Sequence, residues 1–158
     1  MIYIFTRREV LAATKSTSNQ LQYLERKVLI NPCRVEKTGK PTVLYSLEQM
    51  MAIALNKQLK NIDSDCATSL VYFLANFDRP QGFNYAGTSL YCVGSEASFD
   101  VTALVKDIEV LTQYKLVVIP DLGKILAEII VNAKSSEVID FEPFRDRALQ
   151  LQASIVED

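Results

Sequence analysis

The alternation of apolar and polar positions predicts two short helices at the start of the chain. Thr6 and Glu9 are spaced as a capping box, in which a hydroxyl and a carboxylate satisfy free backbone groups at a helix start. A helix over about residues 7–14 is therefore expected. After the polar turn "KSTSN", apolar residues recur at helical spacing and predict a second helix over about residues 17–28. These apolar positions are Leu21, Leu24, Val28 and Leu29.

The segment after this helix pair has the pattern of a β-hairpin. Pro32 ends the second helix, because proline lacks a backbone donor and pushes the preceding residue toward extended geometry. Two short runs, Arg34–Glu36 and Thr42–Tyr45, then predict strands joined by a basic turn that contains Gly39. A helix-turn-helix followed by a hairpin is thus expected early in the chain.

Two further helices and a linker complete the predicted N-terminal part. Ser46 and Gln49 mark the start of a helix, and the apolar face that follows predicts packing in the core. A helix over about Cys66–Phe77 is expected next, and "NFDRPQGFNYAG" predicts a linker because it gathers Pro, Gly, Asn and Asp. The pattern divides the chain into a first domain at residues 1–77 and a second at residues 87–158.

Beyond the linker, the pattern predicts a small α/β unit with the order β-β-α-β-α. The runs "TSLYCVG" and "SEASF" are expected to pair as strands, Asp100 to cap a helix, and "KLVVI" to form a buried strand before the helix "KILAEIIVNA". A terminal amphipathic helix either folds back on this unit or pairs with a second copy. The apolar positions of the helix after Asp100 are Val101, Leu104, Val105, Ile108 and Leu111, and those of the terminal helix are Phe141, Phe144, Ala148, Leu151 and Ile155.

Charge divides the chain unevenly, although the net charge is only −2. Residues 1–62 carry ten Lys or Arg against four acids, a net of +6. Residues 63–158 carry seven against fifteen, a net of −8. The basic half suits a polyanion such as nucleic acid, whereas the acidic half repels one.

The composition limits which kinds of functional site the chain is expected to carry. The chain has no histidine, the commonest general base and metal ligand, so catalysis is not expected. Cys33, Cys66 and Cys92 are widely spaced and form no Cys-x-x-Cys pair, so no disulfide framework, zinc site or other cofactor is expected. No apolar run is long enough to span a membrane, and the N-terminus is charged, which predicts a cytoplasmic protein without a membrane partner.

The N-terminal segment resembles the MerR family of winged-helix transcription regulators. That family's pattern is a helix-turn-helix, an aromatic-acid element, Leu, Pro, Arg, a basic Gly-containing wing, a Tyr and another helix. The stretches "TRREVLAATKSTSNQLQYLERKVLINPCR" and "EKTGKPTVLYSLEQMMAI" follow it over about residues 5–62. The chain has Gln22 where many members have Arg, and it shows no obvious long dimerisation helix. The fold class expected is α+β: a winged helix-turn-helix, the small α/β unit and a terminal helix.

The resemblance implies a sequence-specific transcription regulator that binds double-stranded DNA as a homodimer, with RNA polymerase as a further candidate partner. The second helix would lie in the major groove, where short polar side chains reach base edges. The wing would lie over the phosphate backbone. The expected DNA-binding residues are Thr17, Ser18, Asn19, Gln20, Tyr23, Arg26, Arg34, Lys37, Lys40 and Tyr45.

Two other functions stay open at this point. The winged fold could serve protein interaction as an adaptor without DNA affinity, which Gln22 and the modest positive charge support. Alternatively, residues 87–135 could hold a pocket for a small molecule, although no convergent polar cluster in the sequence names a ligand.

Overall fold

The computed structural model describes residues 1–37, 39–104 and 116–153, and it has a mixed α+β fold, which confirms the predicted class at this level. No helix among these residues is both long and apolar enough to cross a membrane. In chain order the elements are β1 (Tyr3–Thr6), α1 (Arg7–Thr14), α2 (Ser18–Arg26), β2 (Cys33–Lys37), β3 (Lys40–Ser46), α3 (Leu47–Gln58), α4 (Ser64–Ala75), β4 (Leu90–Val93), β5 (Glu96–Ser98), α5 (Val101–Leu104), β6 (Leu116–Ile119), α6 (Leu122–Ser135) and α7 (Phe141–Ala153).

Reciprocal capping boxes begin three of the helices. At each start a Ser or Thr hydroxyl accepts a backbone hydrogen bond from the third helical residue, whose own side chain accepts from the backbone of the cap. These contacts satisfy donors that have no partner inside a helix, and they confirm the predicted starts of α1 and α3. The three pairs are Thr6 with Glu9, Thr17 with Gln20, and Ser46 with Gln49.

The second helix is shorter than predicted. It ends at Arg26, and Val28 has a left-handed backbone with φ of 59° and is 66% exposed. The expectation that Val28 continues the apolar face of α2 is therefore wrong. Leu21 and Leu24 do face the core, and Leu29 and Ile30 re-enter it after the left-handed turn.

A three-stranded antiparallel sheet lies beside these helices, in the order β1-β3-β2. The hairpin strands β2 and β3 were predicted within one or two residues of their bounds. Strand β1 was not predicted, because four residues carry little pattern and its partner lies about forty residues along the chain. Its pairing with β3 places Phe5 in the core, where it is fully buried.

The second sheet is also antiparallel, in the order β5-β4-β6. Strands β4 and β5 pair as predicted, but the expectation of a buried last strand is wrong, because Leu116 and Val118 are each 42% exposed. An antiparallel sheet often packs only one face on a core, so an apolar run does not mean burial on both faces. The predicted helix after Asp100 begins as α5, and its positions Val105, Ile108 and Leu111 lie outside the described residues.

The N- and C-terminal parts of the chain share one hydrophobic core. Helix α6 packs against α1 and α3, and Ile125, Leu126 and Ile129 of α6 belong to the same buried cluster as Val10 of α1. The Nδ2 amide of Asn132 donates to the carbonyl of Ala13 at 3.0 Å, so polar contacts also join the two parts.

The terminal helix α7 folds back, but on the N-terminal strand and helix rather than only on its own half. Phe144 is fully buried, and its ring meets that of Phe5 edge to face at 5.4 Å between centroids. Arg147 donates to the carbonyl of Ile4 at 2.9 Å and forms an ion pair with Glu9. Helix α7 also packs against α6, as expected if it folds back on the α/β unit, but its contacts with β1 and α1 were not predicted. Its last predicted apolar position, at residue 155, lies outside the described residues.

The predicted linker is fastened to the core through Tyr85. This side chain is fully buried and donates to Oε2 of Glu48 at 2.8 Å. Burial raises the pKa of Glu48, against the opposing effects of the Tyr85 hydrogen bond and the Arg79 charge. Within the linker, the ring of Phe77 packs against those of Phe83 and Tyr85, and beyond the linker it packs against Phe99. The segment between α4 and β4 is thus held by packing.

Candidate nucleic-acid interface

Helix α2 presents a polar, exposed face along its length. Asn19, Gln22, Tyr23 and Arg26 are exposed, and they occur at intervals of three and four residues, which places them on one side of a helix. Leu21 and Leu24 lie on the opposite side and are buried. The amphipathic pattern of α2 therefore separates a core-facing stripe from a surface that donates and accepts hydrogen bonds.

The first turn of α2 divides the predicted base-reading residues into two kinds. The Thr17 hydroxyl accepts from the Gln20 amide at 3.2 Å, and the Gln20 Oε1 accepts from the Thr17 amide at 2.9 Å. These two side chains serve as the helix cap. Thr17 is itself exposed, but its hydroxyl is taken up by the cap, whereas the side chains of Ser18 and Asn19 are exposed and take no part in the capping box.

A network of three side chains holds α2 against α1 and β3. Arg7 donates from Nη1 to Oε1 of Glu25 and to the hydroxyl of Tyr45, both at 2.9 Å. The Tyr45 hydroxyl in turn donates to Oε1 of Glu25. Arg7 also reaches the start of α2, where its Nη2 donates to the Ser18 hydroxyl at 3.1 Å. Both ends of α2 are thus fixed to the same arginine.

Tyr45 belongs to this network and does not reach the surface. The residue is fully buried. Burial and the Glu25 carboxylate raise the pKa of the Tyr45 phenol above its usual range, so the hydroxyl stays protonated and continues to donate. A direct phosphate contact from Tyr45, which the sequence pattern suggested, has no support in this arrangement.

The β2–β3 hairpin lies next to α2 and carries basic residues. Arg34 and Lys40 are exposed. Lys37 pairs with Lys40 across the hairpin backbone, beside a turn where Gly39 has φ of 82°, a left-handed conformation that glycine adopts without a Cβ clash. Arg34 and Lys40 therefore place two exposed cations on the hairpin, whereas the side chain of Lys37 lies outside the described part of the structure.

A shallow surface depression of about 390 Å³ connects the helix to the hairpin. Gln22, Glu25 and Arg26 of α2 line it on one side, and Arg34 of β2 lines it on the other. Since Arg7 pairs with Glu25 at 2.9 Å, the carboxylate in this depression is already matched by a cation. Two exposed guanidinium groups then remain beside it, a donor arrangement suited to phosphate oxygens.

Tyr23 adds an aromatic ring to the same surface. It is 53% exposed, and the Lys27 Nζ lies 5.8 Å from the centre of its ring. Of the ten predicted residues, the structure brings Ser18, Asn19, Tyr23 and Arg26 to the exposed side of α2. Arg34 and Lys40 lie on the adjacent hairpin.

Arg7 and Glu25 are the residues that sequence reasoning missed. They lie 18 positions apart and meet only because α1 and α2 pack together. No local spacing rule joins them, so single-sequence patterns give no signal for this pair. Gln22 also lies on this surface, where an amide side chain can bond to a base as well as to a phosphate.

Comparisons with known proteins do not assign this chain to a family. No family model matches it, and the search of curated proteins found no match either. Within the described residues, no group of three or more Cys, Asp or Glu side chains is placed to hold a metal ion. The surface formed by α2 and the β2–β3 hairpin is therefore interpreted on its own geometry and charge.

Proposed function

We propose that this protein is a sequence-specific, double-stranded DNA-binding transcription regulator with a winged helix-turn-helix of the MerR type. Helix α2 enters the major groove, and the β2–β3 hairpin acts as a wing on the phosphate backbone. The observation that supports this most is that an exposed polar helix face lies beside a basic hairpin, with the helix fixed by the Arg7–Glu25–Tyr45 network.

Sequence readout is assigned to the first turns of α2. A helix fits the major groove, and its N-terminal side chains contact base edges there. Asn19 and Gln22 carry amides, which pair bidentately with adenine. Ser18 carries a hydroxyl, which can bond to a base edge as well. Thr17 and Gln20 contribute indirectly, because their capping box holds that turn in helical geometry.

Phosphate binding is assigned to the cations around the depression and on the wing. Arg26 and Arg34 face it from the two sides, and Lys37 and Lys40 flank the wing turn. Tyr23 supplies a hydroxyl beside them. These contacts position the protein without reading sequence, and the net +6 charge of residues 1–62 provides attraction over a longer range.

The regulator is proposed to act as a homodimer. Two-fold proteins read two-fold sites, with half-sites about one helical turn apart, so one copy of α2 would engage each half-site. The acidic C-terminal part would remain away from the DNA, because its net −8 charge opposes the approach of phosphates.

Three substitutions separate readout from positioning. We expect Arg34→Ala to weaken binding to a selected operator and to random duplex alike, and to lower the log–log salt slope by about 0.9 per protomer. Asn19→Ala should cost about 1–3 kcal/mol on the selected operator and little on random DNA. Lys124→Ala removes an exposed cation from α6, so as a charge-matched control it should leave the slope unchanged.

Fluorescence anisotropy with the purified full chain measures all three. An equal loss on specific and random DNA is expected for Arg34→Ala; if Asn19→Ala also weakens both equally, the division of roles is wrong. If the unmodified protein binds no duplex at low salt, the proposed function is wrong as a whole, and a protein-interaction adaptor becomes the better account of the same surface.

A further inference from the structure

A small cavity lies where the N- and C-terminal parts of the chain meet. It has a volume of about 240 Å³ and is bounded by the C-terminal ends of α1 and α3 and by α6. A water molecule takes up about 30 Å³ in the liquid, so the cavity has room for roughly eight non-hydrogen atoms. Ile129 of α6, which is fully buried, and Ala54 of α3 form its apolar part. The other residues that line it are polar or charged.

Side chains from α3 and α6 hold the end of α1 at this cavity. The Lys57 ammonium group of α3 donates to the carbonyl of Thr14 at 3.2 Å and also to the carbonyl of Lys15. The Asn132 amide of α6 donates to the carbonyl of Ala13 at 3.0 Å. Carbonyls in the last turn of a helix have no partner within the helix, so these contacts satisfy them and fix the three helices around the cavity.

The wall formed by α1 and α3 offers hydrogen-bond donors. An ammonium group has three N–H donors, and Lys57 uses two of them on the α1 carbonyls. Its third donor has no acceptor among the described residues. Lys15 is exposed at the same cavity, and no carboxylate of the described chain lies within ion-pair distance of its ammonium group. Two such cations suit a carboxylate, whose oxygens accept charge-assisted hydrogen bonds.

The wall formed by α6 offers hydrogen-bond acceptors. Glu128 is exposed, and its Oε2 accepts from the Gln58 amide at 3.4 Å. Asn132 lies one turn further along α6. Because its Nδ2 donates to Ala13, its Oδ1 is left as an acceptor without a partner in the described part of the chain. A carboxylate and an amide oxygen one helical turn apart suit an ammonium group, which only donates.

Opposite charges thus line one small cavity without pairing with each other. Lys15 and Glu128 both line it, yet no ion pair joins them in the described structure. A ligand that carries one charge would match only one of these groups, whereas a zwitterion matches both.

We propose that this cavity is a binding site for a small zwitterion, namely a free α-amino acid. The carboxylate of the ligand accepts from Lys57 and Lys15. Its ammonium group donates to Glu128 and to Oδ1 of Asn132. The volume of the cavity limits the ligand to amino acids with short side chains, which lie against Ile129.

An amino acid in this cavity contacts α1, α3 and α6 together, and so stabilises the junction between the two parts of the chain. This binding needs no DNA, and it is therefore independent of the proposed function. A regulatory role of the cavity does rest on that function. Helix α1 also carries Arg7, which bonds to Ser18 and Glu25 of α2, so the ligand binds next to the helix that holds the DNA-binding surface in place.

Thermal unfolding of the full chain without DNA gives the first test. Each of the standard α-amino acids is added separately at millimolar concentration. We expect at least one with a short side chain to raise the melting temperature, by about 5–10 °C at a concentration about a hundredfold above its Kd. The N-acetylated and the C-terminally amidated forms of that amino acid each lack one charge. Titration calorimetry should show that each binds about tenfold more weakly.

Two variants connect the binding to this cavity. Glu128→Gln and Lys15→Gln each remove one charge at an exposed position, so both should fold, and each should weaken binding about tenfold. In Glu128→Gln the further loss caused by N-acetylation of the ligand should shrink, because the ammonium group has already lost its carboxylate partner. Glu142→Gln and Lys134→Gln remove exposed charges that do not line the cavity, and these controls should bind like the unmodified protein.

Three results would overturn the proposal. The first is that no standard amino acid raises the melting temperature of the unmodified protein, a measurement that needs no variant. The second is that the N-acetylated or amidated form binds as tightly as the free amino acid, because one charge would then suffice. The third is that the variants at Glu128 and Lys15 bind as tightly as the controls, which would place the ligand elsewhere. A failure of the protein to bind DNA changes none of these results.

Discussion

Replacing Tyr45 with phenylalanine removes one hydroxyl from the network that fixes helix α2. The Tyr45 hydroxyl donates to Glu25 and accepts from Arg7 at 2.9 Å, and Tyr45 is fully buried. Since the ring itself remains, the core loses no hydrophobic packing. The substitution therefore measures the polar contacts alone.

The expected loss follows from the charge of the partners. A hydrogen bond to a charged group contributes about 1.5–3 kcal/mol. Arg7 and Glu25 still pair with each other at 2.9 Å, and the Glu25 side chain is 20% exposed, so water replaces part of what is lost. We expect Tyr45→Phe to lower the free energy of unfolding by about 2 kcal/mol and the melting temperature by about 6 °C.

Thermal and urea unfolding followed by circular dichroism measure this change. Tyr23→Phe is the matched control, because Tyr23 is 53% exposed on the same helix, and its loss of a hydroxyl should change the free energy of unfolding by less than about 0.5 kcal/mol. If both variants lose the same amount, Tyr45 does not act through Glu25 and Arg7, and the argument for how α2 is oriented fails.

Two further predictions concern the turn after α2 and the contact between α7 and α1. Val28→Gly should raise the free energy of unfolding by about 1 kcal/mol, because it removes the strain of a β-branched residue in a left-handed backbone conformation. Val131 is equally exposed, at 66%, but lies within α6, so Val131→Gly should lower the free energy of unfolding in the same denaturation assay. Arg147→Ala should cost about 2 kcal/mol at pH 7, through loss of the Glu9 ion pair. Burial raises the pKa of Glu9, but hydrogen bonds from Arg147 and Thr6 outweigh it and leave the pKa below the ordinary 4.5. The stabilisation by this ion pair is thus present above pH 4.5 and is lost as pH falls through the lowered pKa of Glu9. The difference in the free energy of unfolding between Arg147→Ala and the unmodified protein should therefore shrink in acid. A difference that grows in acid would contradict the assignment.

Local chemistry was predictable where a few neighbouring residues decide the structure. The capping boxes at Thr6 and Ser46 identified helix starts correctly, because both partners lie within one turn of chain. The hairpin and the pair β4 and β5 were found for the same reason, since turn residues and alternation lie close together in sequence.

Features that depend on distant partners were not predictable in this way. Strand β1 exists through its pairing with β3, and Val28 leaves the helix because the chain must turn toward the hairpin after α2. The burial of Tyr45 depends on Arg7 and Glu25, which arrive from two other elements. Sequence patterns describe which faces are apolar, and tertiary packing decides which polar groups those faces enclose.

The position of α7 shows the same limit. Its apolar stripe predicted a helix correctly, but the stripe alone does not name the surface that covers it. The contacts of Phe144 with Phe5, and of Arg147 with Glu9, join residues nearly the whole chain apart. The two halves, which differ so strongly in charge, are thereby joined into one packed unit.

The salt dependence of binding to random duplex DNA tests the central proposal most directly. Each phosphate contact changes the log–log slope by about 0.9, so Arg26, Arg34, Lys37 and Lys40 predict a slope of about −3 to −4 for each protomer. Anisotropy titrations of the unmodified full chain over several salt concentrations give this number. A slope of that size supports a phosphate-binding surface of α2 and the hairpin, and a slope near zero, or no binding at low salt, would contradict it.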